Sequence, residues 1–186
     1  MHNYPTITGR KIRMALVGCG RIAANHFGAM EQHAENVEMV DVCDVDRAAL
    51  DKAVQPTSAK GHHGMTEVLK TTTADIIVLT TPSGLHPGQA IEIAESGRHV
   101  MTEKPMATRW HDGLRMVKAC DDAGVRMFVV KQNRRNATLQ LLKRAVERGQ
   151  GGFGVDAGIT GGANGFADHF GGQVQQLAES LAARVG

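Results

Sequence analysis

After a polar lead-in at residues 1–11, the chain alternates short apolar runs with longer stretches whose apolar positions recur every three or four residues. Residues 12–17 read as a buried strand. Residues 21–34 then carry Ile22, Ala23, Phe27 and Met30 on one helical face. The same reading predicts a strand at 37–43 ending at Asp44 and a helix at 46–54. Residues 55–64 read as a loop with room for a short third strand, and 65–71 as a weak helix. Residues 75–80 predict the clearest strand of all, apolar beyond Asp75 and so suited to burial on both faces, as parallel strands are. A helix at 87–96 stopped by Gly97, a strand at 99–102, a helix at 108–123, a strand at 125–130 and a helix at 137–148 complete the series. Strand and helix in strict alternation over about 140 residues predict the α/β class, a doubly wound parallel sheet with helices on both faces. The dinucleotide-binding domain expected from this pattern spans residues 12–150.

The polar motifs fall at one kind of position. Gly18, Cys19, Gly20, Arg21, Ile22 and Ala23 follow the first strand, and Asp44 closes the second. Thr81 to His86, Glu103 to Pro105, and Lys131 to Asn136 follow the strands at 75–80, 99–102 and 125–130. Ligands of doubly wound sheets bind outside the carboxyl ends of the strands. In Gly-x-Gly-x-x-Ala, Gly18 permits the tight turn, Gly20 lets backbone approach a pyrophosphate, and Ala23 is small enough for the helix to press on the sheet. The helix terminus adds unpaired N–H groups and a partial positive charge. Asp44, 21 residues past Ala23, stands where an acid accepts hydrogen bonds from a ribose diol and repels a 2′-phosphate, which predicts NAD rather than NADP. Its competing reading is a solvated acid capping the next helix.

Lys104, fixed between the strand end and Pro105, is the candidate for chemistry. Beside a cationic nicotinamide an ammonium is disfavoured, so this lysine can act as a general base near neutral pH; the plain alternative is a surface Glu–Lys pair. Ser83 and His86 enter a helix, where turn and cap roles are ordinary. His62 and His63 lack companions at metal spacing and read as loop residues, so no metal site is expected. The basic run from Lys131 to Arg135 reads as a phosphate contact or a solvated loop, with Asn136 capping the last helix. Most methionines, Met14, Met30, Met116 and Met127 among them, fill apolar positions and read as core.

Composition narrows the classes. A net charge of +2 with interspersed signs gives no footprint for nucleic acid, and one Trp and one Tyr leave little for base stacking. Three widely spaced cysteines suit reduced thiols better than a disulfide framework. No apolar run approaches a membrane span or a signal sequence, so a cytoplasmic protein is expected. Residues 151–186 break the pattern: they hold ten glycines, and only 173–184 has helix character. Asp168 and His169 there have no supporting motif.

Taken together, these motifs resemble the glucose–fructose oxidoreductase/inositol dehydrogenase (Gfo/Idh/MocA) family over about residues 11–150. The resemblance implies a Rossmann-like domain and an NAD-dependent oxidoreductase. It is closest to the branch that oxidises carbon 3 of a UDP-linked N-acetylated amino-uronic acid for surface polysaccharides. It further implies that Gly18, Gly20, Arg21 and Ile22 hold the pyrophosphate and Asp44 the adenosine ribose. Thr81, Ser83 and His86 would line the cofactor cleft. Glu103 and Lys104 would lie beside the nicotinamide, with Lys104 deprotonating the sugar, while Gln132, Asn133 and Arg134 would meet cofactor or substrate. Members near this branch keep NAD tightly bound and can reoxidise it with 2-oxoglutarate. Family members continue into a substrate domain that also carries the usual oligomer interface, where this sequence has the atypical segment 151–186. The expectation is therefore a truncated or frameshifted chain, poorly active alone, with no basis for an oligomeric state. The alternative from another class is a stand-alone dinucleotide-binding or redox-sensing regulatory module.

Overall fold

The structure, a computed structural model, describes residues 7–147. The first six residues, the segment 151–186 and its amphipathic run lie outside the described residues. Six strands form one parallel sheet: β1 (Ile12–Val17), β2 (Val37–Cys43), β3 (Lys60–His62), β4 (Ile76–Leu79), β5 (His99–Thr102) and β6 (Met127–Val129). Their spatial order is β3-β2-β1-β4-β5-β6. The chain runs outward from β1 through β2 to β3, then returns to the other side of β1. Two crossovers therefore leave in opposite directions above the β1–β4 pair, and a crevice opens there. The helices are α1 (Ala23–Gln32), α2 (Arg47–Thr57), α3 (Met65–Thr71), α4 (His86–Glu95), α5 (Trp110–Asp122) and α6 (Ala137–Glu147).

Alternation along the strands explains why they read as unbroken apolar runs. Met14 and Leu16 of β1, with Ile76 and Val78 of β4, pack toward Ala23, Ala29 and Met30 of α1. Ala15 and Val17, with Ile77 and Leu79, pack the other way, against Ala90, Ile93 and Ala94 of α4 and Met116 and Cys120 of α5. Both faces are covered, so both sets of side chains are withdrawn from water, each large one contributing about 1.5–3 kcal/mol.

Most element ends shift by one or two residues from the sequence reading, and three differences have a local cause. Helix α2 continues through Pro56 to Thr57; the proline costs the Lys52 carbonyl its main-chain donor, but the turn still closes through the Ser58 N–H to the Val54 carbonyl (3.0 Å). It ends at Ser58, whose φ of 54° is left-handed. Strand β6 is shorter than residues 125–130, since Val125 N–H is still bonded to the Cys120 carbonyl closing α5. His62, expected in a loop, lies in β3 with its side chain buried: Nε2 is 2.8 Å from Asp41 Oδ1, and Nδ1 3.2 Å from Glu67 Oε1. Among the described residues no helix is long and apolar enough to cross a membrane.

Candidate cofactor site

The glycine loop is built by the sheet as much as by its own sequence. Gly18 has φ +101°, and a Cβ there would lie 2.8 Å from Thr80 C and Thr81 N. Its N–H donates to the Cys43 carbonyl (2.8 Å), and the Thr80 hydroxyl donates to the Gly18 carbonyl (2.5 Å). Gly18 is thus clamped between the ends of β2 and β4, which is a closer constraint than the tight turn alone. Gly20 differs: a Cβ there would meet nothing within 4 Å. It is exposed, as is Arg21, while Ile22 is half-buried and Ala23 fully buried against the sheet. No side chain caps α1 and no acid sits in its first turn; the Ala23 and Asn25 N–H groups close turns onto the Gly20 and Ile22 carbonyls (3.0 and 3.1 Å), and the positive end of the helix dipole at this loop suits an anion.

Asp44 leans back onto this loop. Its Oδ2 accepts the Cys19 N–H at 2.6 Å and its Oδ1 accepts the Asp46 N–H at 2.8 Å. The helix cap that competes as an explanation for Asp44 belongs instead to Asp46, whose side chain accepts from Ala49 N–H (3.0 Å). A carboxylate holding one bond per oxygen keeps lone pairs for a diol. Beside it opens a cleft of about 330 Å³ across the ends of β1, β2 and β4. Its walls include Val45, Met65, Pro82 and Leu85, which the sequence reading passed over. Val45 and Leu85 are apolar yet 87% and 53% exposed; an aliphatic residue within each of two polar loops, one just after Asp44 and one just before His86, was the signal available.

On the far side of the crevice, Thr81 is half-buried and its hydroxyl donates to Gln89 Oε1 of α4 (2.5 Å). Ser83 is half-buried in a turn closed by Leu85 N–H to the Pro82 carbonyl (2.9 Å). His86, expected to line the cleft, is 1% exposed. Its ring nitrogens face two main-chain carbonyls, of Thr81 at 2.8 Å and Pro105 at 3.1 Å, so it ties the loop after β4 to the loop after β5. Glu103 is buried, with Oε1 3.0 Å from His26 Nε2 and Oε2 accepting the Lys104 N–H at 3.2 Å. Burial pushes its carboxyl up, but the His26 hydrogen bond and the nearby positive charges outweigh it and hold the group below its ordinary value. Lys104 is exposed at the strand end.

Gln132, Asn133 and Arg134 form a 3-10 turn, Gln132–Arg135, directly after β6. None of them is buried. The Asn136 side chain accepts from Thr138 N–H and Leu139 N–H (3.0 and 3.2 Å), capping α6 as its sequence position suggests. The loops after β1, β2, β4, β5 and β6 thus share one rim, with both the glycine loop and Asp44 on the wall of the 330 Å³ cleft.

A doubly wound sheet with an uncapped helix at a glycine loop and an acid at the next strand end defines a dinucleotide-binding α/β domain. A family model described as the Gfo/Idh/MocA oxidoreductase family, NAD-binding Rossmann fold, matches residues 12–131, and the chain belongs to that family. Among solved structures it is similar to the WlbA dehydrogenase of Chromobacterium violaceum in complex with NADH and UDP-GlcNAcA. That likeness has 66% identity and a TM-score of 0.78, covering 82% of this chain and 44% of that one. The WlbA dehydrogenase of Bordetella pertussis, in complex with the same two molecules, is 62% identical with a TM-score of 0.74, covering 77% and 43%. A 4-carboxy-2-hydroxymuconate-6-semialdehyde dehydrogenase of Sphingobium is 26% identical over 143 residues, 75% of this chain and 44% of that protein. This chain spans less than half the length of the relatives it matches.

Proposed function

We propose that this chain is the cofactor-binding portion of an NAD-dependent nucleotide-sugar dehydrogenase. Its substrate would be a UDP-linked N-acetylated amino-uronic acid, oxidised at carbon 3. The observation that carries the reading is the paired geometry of the glycine loop and Asp44 at one end of an open cleft. The 66% identity to a dehydrogenase solved with NADH and UDP-GlcNAcA supports the choice of cofactor and substrate class. The residues fit the group: α1 begins without a side-chain cap, and the position of Gly20 is open. The loop N–H groups of Gly20, Arg21 and Ile22 would hold the pyrophosphate, with the Gly18 turn setting their direction. Asp44 would hold the adenosine ribose, and Val45 and Leu85 would enclose the base. NAD, when bound, supplies the hydride acceptor.

With the adenosine half over β2, the other half must extend over β4 and β5. There Thr81 and Ser83 would border it and Glu103 would take the ribose hydroxyls. Lys104 would take the proton of the reacting sugar hydroxyl at Nζ. His86 contributes by joining the two loops, and Gln132, Asn133 and Arg134 would meet cofactor or sugar from the turn after β6. Residues 12–150 make up this domain, residues 1–11 lead into it, and 151–186 stand where longer relatives carry further sequence. Calorimetric titration with NAD and NADP tests the cofactor, and an absorbance assay with the UDP-linked uronic acid tests the reaction. Tight binding of NAD over NADP is expected. Indifference to NAD at millimolar concentration overturns the proposal.

A further inference from the structure

The apolar face of α1 carries a residue whose presence packing does not explain. His26, in the first turn, is completely buried where a leucine or isoleucine would fill the space without polar atoms. Its Nε2 lies 3.0 Å from Glu103 Oε1 at the end of β5, 77 residues away in sequence. Glu103 is only 8% exposed, and its other oxygen accepts the Lys104 N–H at 3.2 Å. A carboxylate offers no proton, so Nε2 carries the hydrogen and donates. A buried pair of this kind adds little to stability compared with apolar residues of the same size. What it fixes is direction: the Glu103 side chain has one arm on α1 and the other on the backbone at Lys104.

We propose that His26 is a positioning residue that couples the pyrophosphate end of the cleft to its nicotinamide end, by holding Glu103 and, through it, the main chain at Lys104. The inference rests on the reading of the cleft as an NAD site. Helix α1 begins at the loop that meets the phosphates, and His26 follows the first helical residue by three positions. One rigid element therefore sets both where the phosphates lie and where the Glu103 carboxylate points. Burial alone would favour a protonated Glu103, one of whose oxygens then donates; the His26 contact favours the carboxylate, which only accepts and so suits the hydroxyls of a ribose.

The test compares two ligands by calorimetry on the whole chain: NAD, which spans the cleft, and ADP, which stops before Glu103. His26→Leu is expected to weaken NAD binding about ten-fold and to leave ADP binding within about two-fold. His26→Gln, whose amide N–H can still donate to Oε1, is expected to recover most of the loss. Glu103→Gln is expected to reproduce the NAD-selective loss, and the Leu–Gln double variant to add little beyond either single change. ADP affinity reports folding in every variant, and His26→Met carries the comparison if the leucine variant does not fold. Equal losses for NAD and ADP, or unchanged NAD affinity in a folded variant, overturn the inference while leaving the cofactor reading intact. A wild-type chain that binds neither ligand overturns both.

Discussion

Replacing each of the two loop glycines by alanine separates folding from binding. At Gly18 the added Cβ would sit 2.8 Å from Thr80 C, 2.8 Å from Thr81 N and 3.0 Å from Thr80 O. These are backbone atoms at the end of β4, which is buried and paired on both sides, so they cannot swing away. The φ of +101° adds conformational strain that an L side chain does not escape. Strain of about 1–3 kcal/mol and overpacking of about 1–3 kcal/mol together give a loss of roughly 2–6 kcal/mol. For a chain of this size 1 kcal/mol moves Tm by about 2–4 °C, so Gly18→Ala should melt some 4 to 24 °C lower, by roughly that conversion. At Gly20 the same methyl group meets nothing within 4 Å. Gly20→Ala should melt within about 2 °C of wild type, as surface changes do, yet bind NAD about ten-fold or more weakly, because the methyl occupies the approach to the phosphates. Scanning fluorimetry with and without NAD reads both quantities. Equal melting temperatures for the two variants would refute the clamp at Gly18, and unimpaired NAD binding by Gly20→Ala would refute the path assigned to the pyrophosphate.

Asp44→Ser should lower NAD affinity about ten-fold and narrow the preference over NADP, read by titration with both dinucleotides; an unchanged ratio would refute the ribose assignment. Acid sensitivity should come in two windows. Burial, with Arg126 adding to it and Asp75 opposing, lowers His99 from its ordinary 6.5. A depressed histidine stabilises the fold above that value, and its contribution is lost as pH falls from 6.5 through the folded value. Urea midpoints of wild type minus His99→Asn should therefore shrink as the pH drops below 6.5, and a flat difference would refute this. Glu103, held below its ordinary 4.5 by His26 and Lys104 against the opposing effect of burial, should add a further loss only below that value. Burial pushes the Cys19 thiol up to about 12 and those of Cys43 and Cys120 to about 11. Labelling by iodoacetamide at pH 8 should thus be slow at all three, and rapid labelling of the folded chain would count against the loop geometry.

How far the sequence could be read depended on whether a feature repeats along the chain. The runs at 76–79 and 99–102 announce β4 and β5 because every residue is buried, and α1, α4 and α5 declare themselves by helical periodicity. That the glycine loop, Asp44 and the Glu103–Lys104 pair stand at strand ends on one rim was legible because strand ends gather there once the sheet is parallel. Three-residue β3 offers no period, so His62 could not be seen as a buried residue facing Asp41 and Glu67. His86 looked like an open loop residue because its two partners, the Thr81 and Pro105 carbonyls, are backbone atoms without a sequence signature. His26 was invisible for a related reason: a polar residue within a helix reads as solvent-facing until the strand that answers it, 77 positions on, is folded beside it.

Because a single carboxylate at position 44 both stiffens the glycine turn, through the Cys19 amide, and faces the cleft, the two tasks cannot be altered separately. Removing its charge to admit a phosphorylated dinucleotide strips an acceptor from the very amide that keeps the turn in shape. A designer wishing to swap cofactors in this scaffold must first graft another oxygen under Cys19, and only then change the group proposed to greet the sugar.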